Sequence, residues 1–148
     1  MEVKATMDLQ ELLDRKHAPL VYVAASDRLL DAVSRMVEQR VGSLLVQSDD
    51  GELLGILTER DVLRFCSERP EQLSRARIES VMTRELMVAS PDFTIDEAMS
   101  LMTEHRFRHL PVLAGGRAIG MISIGDLVKA KLKDVSVEVK YLRDYISA

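Results

Sequence analysis

The chain contains the stretch Gly55-Ile-Leu-Thr-Glu-Arg-Asp61, and the same pattern returns as Gly120-Met-Ile-Ser-Ile-Gly-Asp126. In each copy an apolar run opens with glycine, ends in a hydroxyl residue and is followed three residues later by an aspartate. The apolar run predicts a short buried strand, and the hydroxyl residue with the acid after it is typical of a helix start. The two copies therefore predict two strand–helix junctions of the same kind.

The similarity extends beyond these two motifs. Equivalent residues lie 66 positions apart in the earlier part of each repeat, as Met36 with Met102 and Val46 with Val112, and 65 apart at the motifs. The one-residue change falls at the turn signal Ser48-Asp-Asp-Gly51, where insertions are tolerated. The chain is therefore built from two similar repeats.

Each repeat reads as strand, helix, strand, strand, helix. In the first repeat we expect strands at 21–23, 43–46 and 55–57, and a first helix whose apolar stripe contains Leu29, Ala32, Val33 and Met36. In the second repeat we expect strands at 87–88, 110–113 and 119–122, and a first helix capped by Thr94 with Glu97. Half a chain cannot cover its own sheet, so the repeats are expected to pack face to face with pseudo-twofold symmetry.

These patterns predict an α+β fold with five segments. They are an N-terminal helix (1–16), a first repeat (17–68), a linker (69–82), a second repeat (83–132) and a C-terminal helical extension (133–148). Toward the end of the chain, apolar residues recur at alternating steps of four and three: Val128, Leu132, Val135, Val139, Leu142 and Ile146. This spacing predicts an amphipathic helix that either lies on its own domain or pairs with a second subunit.

The repeated motif has two interpretations. A Ser or Thr followed three residues later by an acid caps a helix, which is worth about 1 kcal/mol and occurs in many proteins. The same helix end also offers free N–H groups and positive potential to a phosphate, while the aspartate can accept from the hydroxyls of a ribose. Because the motif occurs twice in the same context, we interpret Thr58 with Asp61, and Ser123 with Asp126, as candidate nucleotide-binding residues.

Basic residues distinguish the two candidate sites. Arg108 and His109 lead into the strand before the second motif and could balance the charge of a phosphate, although a solvated basic turn is the alternative. The equivalent positions in the first repeat are Gly42 and Ser43, and Arg60 offsets this loss only in part. We therefore expect the second site to bind phosphate better.

The doubled motif, with the same strand–helix–strand pattern before each copy, closely resembles the tandem cystathionine-β-synthase (CBS) domain pair, or Bateman module, over about residues 17–132. The resemblance implies a βαββα fold for each repeat, a cleft with two quasi-symmetric nucleotide sites, and frequent dimers. It implies that the motif aspartate holds the ribose, that the motif Ser or Thr lies by the phosphate, and that Arg108 and His109 bind phosphate. Adenine would be flanked by small or apolar residues, here Val41, Ala24, Phe107 and Ala89.

Composition narrows the function classes. A formal charge of −4 argues against nucleic acid or an anionic membrane as the main partner. No apolar run approaches the ~18 residues of a membrane span. The single cysteine and an N-terminus without a signal-peptide layout predict a cytoplasmic protein. No nucleophile with its base, metal-ligand cluster or dinucleotide fingerprint is evident, so we expect no catalysis, metal site or catalytic cofactor.

The sequence thus predicts a regulatory sensor that binds AMP, ADP or ATP and acts on an unknown effector protein in trans, through its conformation or dimer geometry. Alternatives are a sensor of NAD(H) or S-adenosylmethionine, and a dimerisation scaffold with silent ligand sites. A homodimer is expected as well.

Overall fold

The computed structural model describes residues 7–17 and 20–147, although the side chains at 134–139, 141 and 144–147 lie outside the description. The elements in chain order are α1 (Leu9–Lys16), β1 (Tyr22–Ala24), α2 (Leu29–Gln39), β2 (Ser43–Gln47), β3 (Leu53–Thr58), α3 (Glu59–Glu68), α4 (Ile95–His105), β4 (His109–Ala114), β5 (Arg117–Ser123) and α5 (Ile124–Ser147). Two 3₁₀ turns, Pro70–Gln72 and Ile78–Ser80, lie between α3 and α4.

The chain divides into two compact units, and each contains one of the repeats. The first unit consists of Pro19–Leu86 with the hairpin tip Gly115–Ala118. The second consists of Met87–Ala114, the chain from Ile119 onward and the leading helix α1. The α+β architecture with strand, helix, strand, strand, helix order is therefore confirmed for the first repeat, and α1 packs with the repeat that lies farther from it in sequence.

The first unit has a three-stranded sheet in the order β1-β2-β3. β1 runs parallel to β2, with Val23 opposite Val46, and β2 runs antiparallel to β3, with Leu44 opposite Leu57. These four side chains are buried in one core with the apolar stripe of α2. The strands predicted at 21–23, 43–46 and 55–57 are confirmed, with β1 shifted by one residue.

The linker predicted at 69–82 is an integral part of the first unit. Ile78 and Met82 are buried in the core of this unit. Beyond them, Thr83 forms an isolated antiparallel bridge with Ile56 in β3, with N–O distances of 2.8 and 2.9 Å. The segment that leads into the second repeat therefore runs along the sheet edge of the first.

The second unit contains the hairpin β4–β5, and the strand predicted at 87–88 does not form. A single parallel bridge joins Ala89 to Val112. The Ala89 N–H donates to the Pro111 carbonyl at 3.0 Å, and the Ala89 carbonyl accepts from the Leu113 N–H at 2.8 Å. The prediction of a strand here was wrong, because the ladder ends at this one residue.

Proline explains why the ladder stops. In the first unit the Leu45 N–H donates to the Val21 carbonyl at 3.1 Å, which ties the start of β1 to β2. The residue equivalent to Leu45 is Pro111, which has no N–H to donate to the carbonyl of Met87. The segment of the second unit that is equivalent to β1 therefore lacks one of the hydrogen bonds that hold β1 to β2 in the first unit.

Helix α1 completes the core of the second unit. Leu9 and Leu12 are buried in the same apolar cluster as α4 and the β4–β5 hairpin. Asp8 caps the helix by accepting from the Glu11 N–H at 2.9 Å. The sequence predicted an N-terminal helix over 1–16, and residues 1–6 of that range lie outside the described ones.

Helix α5 runs without a break across the predicted boundary between 132 and 133. Three apolar side chains of its predicted seam are exposed, namely Val128, Leu132 and Leu142 at 40%, 61% and 57%. The seam residues Val135, Val139 and Ile146 fall among the side chains outside the description. In the described part of the chain, every helix is too short or too polar to cross a membrane.

Candidate functional site

The first motif forms a complete capping box at the start of α3. The Thr58 hydroxyl accepts from the Asp61 N–H at 3.2 Å, and the Asp61 carboxylate accepts from the Thr58 N–H at 3.0 Å. The capping interpretation of the sequence is therefore confirmed for this motif. Capping and ligand binding are compatible, since a carboxylate has about four lone-pair sites and the cap uses one of them.

Thr83 supplies a second hydrogen bond to this carboxylate. Its hydroxyl donates to Asp61 Oδ1 at 3.0 Å, while Oδ2 serves the cap. Asp61 is only 9% exposed and is the buried charged residue of the described chain. Both carboxylate oxygens are thus engaged within the first unit, in a place with little access to solvent.

The second motif has the same cap but a different partner. The Ser123 hydroxyl accepts from the Asp126 N–H at 3.1 Å, and Asp126 Oδ2 accepts from the Ser123 N–H at 2.9 Å. The ammonium of Lys16, at the end of α1, donates to the same Oδ2 at 2.8 Å and to the Met121 carbonyl at 2.9 Å. No described residue donates to Asp126 Oδ1, and the side chain is 24% exposed.

The pKa of Asp126 reflects these contacts. Burial by itself would raise the pKa of the carboxyl, because the charged form loses hydration. The hydrogen bond and positive charge of Lys16, together with hydrogen bonding to Ser123, outweigh burial and hold the pKa below its ordinary value. Asp126 is therefore an anion at neutral pH, with one oxygen open toward solvent.

The loops before the two motifs occupy equivalent places. The Arg108 carbonyl accepts from the N–H of Ile124 at the start of α5 at 2.9 Å, and the Gly42 carbonyl accepts from the N–H of Glu59 at the start of α3 at 3.0 Å. Both loops are therefore tied to the helix end that would face a phosphate. The Arg108 side chain is exposed beside this end.

Electrostatics at the first motif are less suited to an anion than the sequence indicated. A Cβ placed on Gly42 would lie 3.4 Å from Cδ of Glu59, so a carboxylate lies where the second unit has Arg108. Arg60, which was expected to compensate in part, is exposed, and its side chain makes no hydrogen bond or ion pair with a described side chain or backbone group. Like charges repel, so Glu59 disfavours a phosphate at this helix end.

The residues expected to flank adenine lie in varied surroundings. Ala24 is half-buried in β1, and Val41 is half-buried beside a cavity of about 560 Å³ between α2 and α3. Phe107 is half-buried and lies shortly before β4, and the first residue of that strand is His109. Ala89 is 4% exposed and packs in the core of the second unit. Their roles toward a ligand stay predictions.

Three residues near the motifs escaped the sequence analysis: Lys16, Thr83 and Glu59. Lys16 lies just before the first repeat and Thr83 lies at the start of the second, and each donates to the motif aspartate of the other repeat. The sequence separation between Lys16 and Thr83 is close to the 66-residue period of the repeats, and this correspondence could have identified them. Glu59 stands where the second motif has Ile124, a difference visible when the two copies are aligned.

The arrangement suits binding of a polar ligand at a helix start. A fixed carboxylate can accept from hydroxyl groups, and an exposed guanidinium beside the positive end of the α5 dipole can meet an anion. Among the side chains that the structure describes, no three from His, Cys, Asp or Glu gather as they would around a metal ion.

Comparison with known proteins identifies relatives over most of the chain. The sequence matches the family described as "CBS domain" over residues 9–68 and 78–133. It is 35% identical to the mitochondrial CBS domain-containing protein CBSX3 of Arabidopsis thaliana over 130 residues, which cover 85% of this chain and 63% of that protein. The chain thus spans less than two thirds of this plant relative.

Solved structures share the fold. A protein with CBS domains from Burkholderia ambifaria MC40-6, whose name assigns it provisionally to signal transduction, is 40% identical with a TM-score of 0.78, covering 86% of this chain and 96% of that one. The CBS domain pair of protein MJ0100, solved with 5′-methylthioadenosine and S-adenosyl-L-methionine, is 18% identical with a TM-score of 0.77, covering 88% and 99%. At that identity the likeness concerns the fold alone.

Proposed function

Because the chain belongs to the CBS-domain family, we propose that it is a non-catalytic regulatory module that binds an adenine nucleotide, AMP, ADP or ATP. The ribose hydroxyls would donate to Asp126, and the phosphate would lie near Ser123, Arg108 and His109 at the start of α5. The Asp61 motif would be the weaker site. The nucleotide would change the conformation or dimer geometry that an effector protein reads.

The state of the Asp126 carboxylate carries this proposal. It is ionised, fixed by its cap to Ser123, 24% exposed, and has one oxygen that accepts nothing from the described residues. Two ribose hydroxyls could donate to this carboxylate without disturbing the cap. They would either replace the Lys16 ammonium or bind together with it. Asp61 offers no such opening, since both of its oxygens are engaged and its side chain is buried.

The choice of an adenine nucleotide also draws on the relatives. The adenosyl ligands named for the MJ0100 domain pair carry the adenine and ribose that AMP, ADP and ATP share. S-adenosylmethionine and NAD(H) remain alternative ligands for this chain. The exposed Arg108 beside the α5 end favours a ligand with a phosphate over a sulfonium compound without one.

Exposed apolar side chains support a homodimer as the responding unit. Leu132 and Leu142 of α5 are 61% and 57% exposed, so neither packs on its own unit. Val37 of α2 and Leu63 of α3 are 73% and 70% exposed on the first unit. Of the two alternatives for the C-terminal seam, pairing with a second subunit is the one that these exposures favour.

A thermal-shift screen tests nucleotide binding at Asp126. A ligand at a hundred times its Kd adds about 2.7 kcal/mol to the free energy of unfolding, or roughly 5–10 °C for a chain of this size. We expect a shift of this order with AMP, ADP or ATP, and its loss in Asp126→Ala.

A matched control separates lost capping from lost binding. Thr94 caps α4 by accepting from the Glu97 N–H at 3.1 Å, far in sequence from either motif. Thr94→Ala should lower the melting temperature through a cap loss of about 1 kcal/mol and keep the full nucleotide shift. An undiminished shift in Asp126→Ala would refute the assignment of the ribose to this carboxylate.

A dimerisation scaffold with silent sites is the second candidate. It is favoured by the intramolecular partners of both motif aspartates, Thr83 and Lys16, which satisfy the carboxylates without a ligand. A scaffold would show no nucleotide shift while remaining dimeric. Sedimentation of the variant Leu132→Glu with Leu142→Glu tests the dimer itself: we expect monomers, and an unchanged sedimentation coefficient would mean that α5 does not form the interface.

A further inference from the structure

A cavity between α1 and α5 in the second unit is unusually basic. It has a volume of about 320 Å³, and its charged lining consists of Arg15, Lys16, Lys129, Lys133 and Asp126. Four basic side chains thus meet one carboxylate, in a chain whose formal charge is −4. Positive charge concentrated in a concave place of an acidic protein attracts anions there, because the low-dielectric walls focus the field.

Helical spacing explains how the two helices build this lining. On α5 the lining residues follow the spacing i, i+3, i+4, i+7, which places them on one face: Asp126, Lys129, Ala130 and Lys133. On α1 they follow i, i+3, i+4: Leu12, Arg15 and Lys16. Leu12 is 9% exposed and belongs to the core of the unit, so the apolar side of the cavity is anchored.

Most of this positive charge is not balanced by the carboxylates whose side chains the structure describes. Lys16 pairs with Asp126, but none of those described carboxylates pairs with Arg15, Lys129 or Lys133. α5 does use a basic residue for an internal ion pair elsewhere, since Lys131 lies 3.0 Å from Asp96. Among the cations that line the cavity, Arg15, Lys129 and Lys133 therefore have no described carboxylate partner and can meet an external anion.

We infer that this cavity binds an oligophosphate group, either as a free oligophosphate or as the phosphate tail of a nucleoside di- or triphosphate. The second source rests on the proposed function, since it requires the ribose on Asp126. In that case the ribose hydroxyls take over the Asp126 carboxylate, the first phosphate stays near Ser123 and Arg108 as proposed above, and the Lys16 ammonium turns from the carboxylate to the phosphates beyond it. Arg15, Lys129 and Lys133 meet the rest of the tail.

The dimensions of the site favour this ligand over larger anions. About 320 Å³ lies at the low end of the roughly 300–1,000 Å³ of small-molecule sites. A nucleic acid would need a basic stripe that continues along the surface. Several cations around one small cavity match a ligand with several closely spaced negative charges. The ligand specificity follows: ATP and ADP should bind more tightly than AMP.

Paired charge-removal variants of the full-length protein test this inference. The cavity variant carries Lys129→Met with Lys133→Met, and the control variant carries Lys140→Met with Arg143→Met, two exposed positions on the same helix that do not line the cavity. Each variant loses two positive charges. Titration calorimetry with ATP, AMP and sodium tripolyphosphate is run on both and on the wild type.

We expect the cavity variant to lose about tenfold or more in affinity for ATP and tripolyphosphate, the loss expected for one charge-assisted hydrogen bond. The control variant should lose less than about threefold from its changed net charge alone, and AMP should be affected least. Equal losses in the two variants would overturn the oligophosphate site and leave the proposed function standing. Cavity-dependent binding of tripolyphosphate without any nucleotide binding would support the site and overturn the proposed function. Absence of binding by all three probes would overturn both.

Discussion

The two repeats share a capping geometry but differ in what holds the motif aspartate. In the first unit Asp61 accepts from the neutral hydroxyl of Thr83 and is 9% exposed. In the second unit Asp126 accepts from the ammonium of Lys16 and is 24% exposed. Asp61 is thus buried and accepts from a neutral donor, whereas Asp126 is partly exposed to solvent and accepts from a charged one.

The two partners occupy comparable places, which makes the difference informative. Thr83 lies at the start of the second repeat, and its N–H donates to the carbonyl of Ile56 in β3. Lys16 precedes the first repeat and bonds to the carbonyl of Met121 in β5. The duplicated backbone therefore brings a leading segment to each motif, and the side chain on that segment determines whether a neutral hydroxyl or an ammonium donates to the aspartate.

The largest expected effect concerns the glycine that opens each motif. A Cβ on Gly55 would clash with the backbone carbonyl of Thr83, whereas one on Gly120 would meet the flexible side chain of Leu13. Gly55→Ala should destabilise by about 3 kcal/mol and Gly120→Ala by about 1 kcal/mol, because overpacking costs more where the neighbour cannot move. Urea unfolding measures both, and equal losses would mean that the two leading segments are equally adaptable.

The next effect isolates the hydroxyl on Asp61. Thr83→Val keeps the side-chain shape but removes the donor to a buried carboxylate, and should cost about 1–3 kcal/mol. In the background of Asp61→Asn the same change should cost much less, since the charge that needs the donor is gone. A double-mutant cycle of unfolding free energies gives the coupling. No coupling would mean that Thr83 acts only through its backbone bridge.

A smaller effect concerns the ion pair at Asp126. Lys16→Met should destabilise by about 0.2–1 kcal/mol at pH 7, as for other partly exposed pairs. The pKa of Asp126 is lowered in the folded state, so the stabilisation exists above the unfolded pKa of about 3.9 and is lost as the pH falls through the folded value. The difference between wild type and variant should therefore shrink as the pH falls below about 3.9 and vanish once Asp126 is protonated in both folded proteins. A difference that stays constant while Asp126 becomes protonated would mean that Lys16 stabilises by packing.

The smallest effect concerns the missing strand of the second repeat. Pro111→Ala supplies an N–H that can reach the Met87 carbonyl, as Leu45 reaches Val21 in the first unit. The new hydrogen bond and the lost rigidity of proline nearly cancel, so the free energy of unfolding should change by less than about 1 kcal/mol. Hydrogen exchange should nevertheless show a protected amide at position 111. Rapid exchange there would mean that something other than proline ends the ladder.

The repeats, most strands and the capped helices could be predicted because they depend on local patterns. Apolar stripes, and the hydroxyl–acid spacing at Thr58 and Ser123, involve contacts between residues that are only a few positions apart in sequence. The strand at 87–88 failed because its pairing depends on Pro111, a residue in another strand. Periodicity alone contains no information on a missing donor across a ladder.

The partners of the motif aspartates were harder to predict. Lys16 contacts a residue 110 positions away, and the packing of α1 on the second unit rather than the first is a tertiary choice. From the sequence alone, Lys16 could equally be interpreted as a solvated lysine at the end of a helix. The expected preference for the second site rests on the sequence difference between Arg108 and Gly42 and stays a prediction, and the position of Glu59 supports it.

Calorimetric titration of ATP into the wild type, Asp126→Asn and Asp61→Asn tests the central claim most directly, since both substitutions keep the shape of the cap. The account predicts that Asp126→Asn weakens the main binding event by about tenfold or more, as expected for a lost charge-assisted hydrogen bond, and that Asp61→Asn changes it by less than about threefold. The opposite order, or equal affinities in all three proteins, would contradict it.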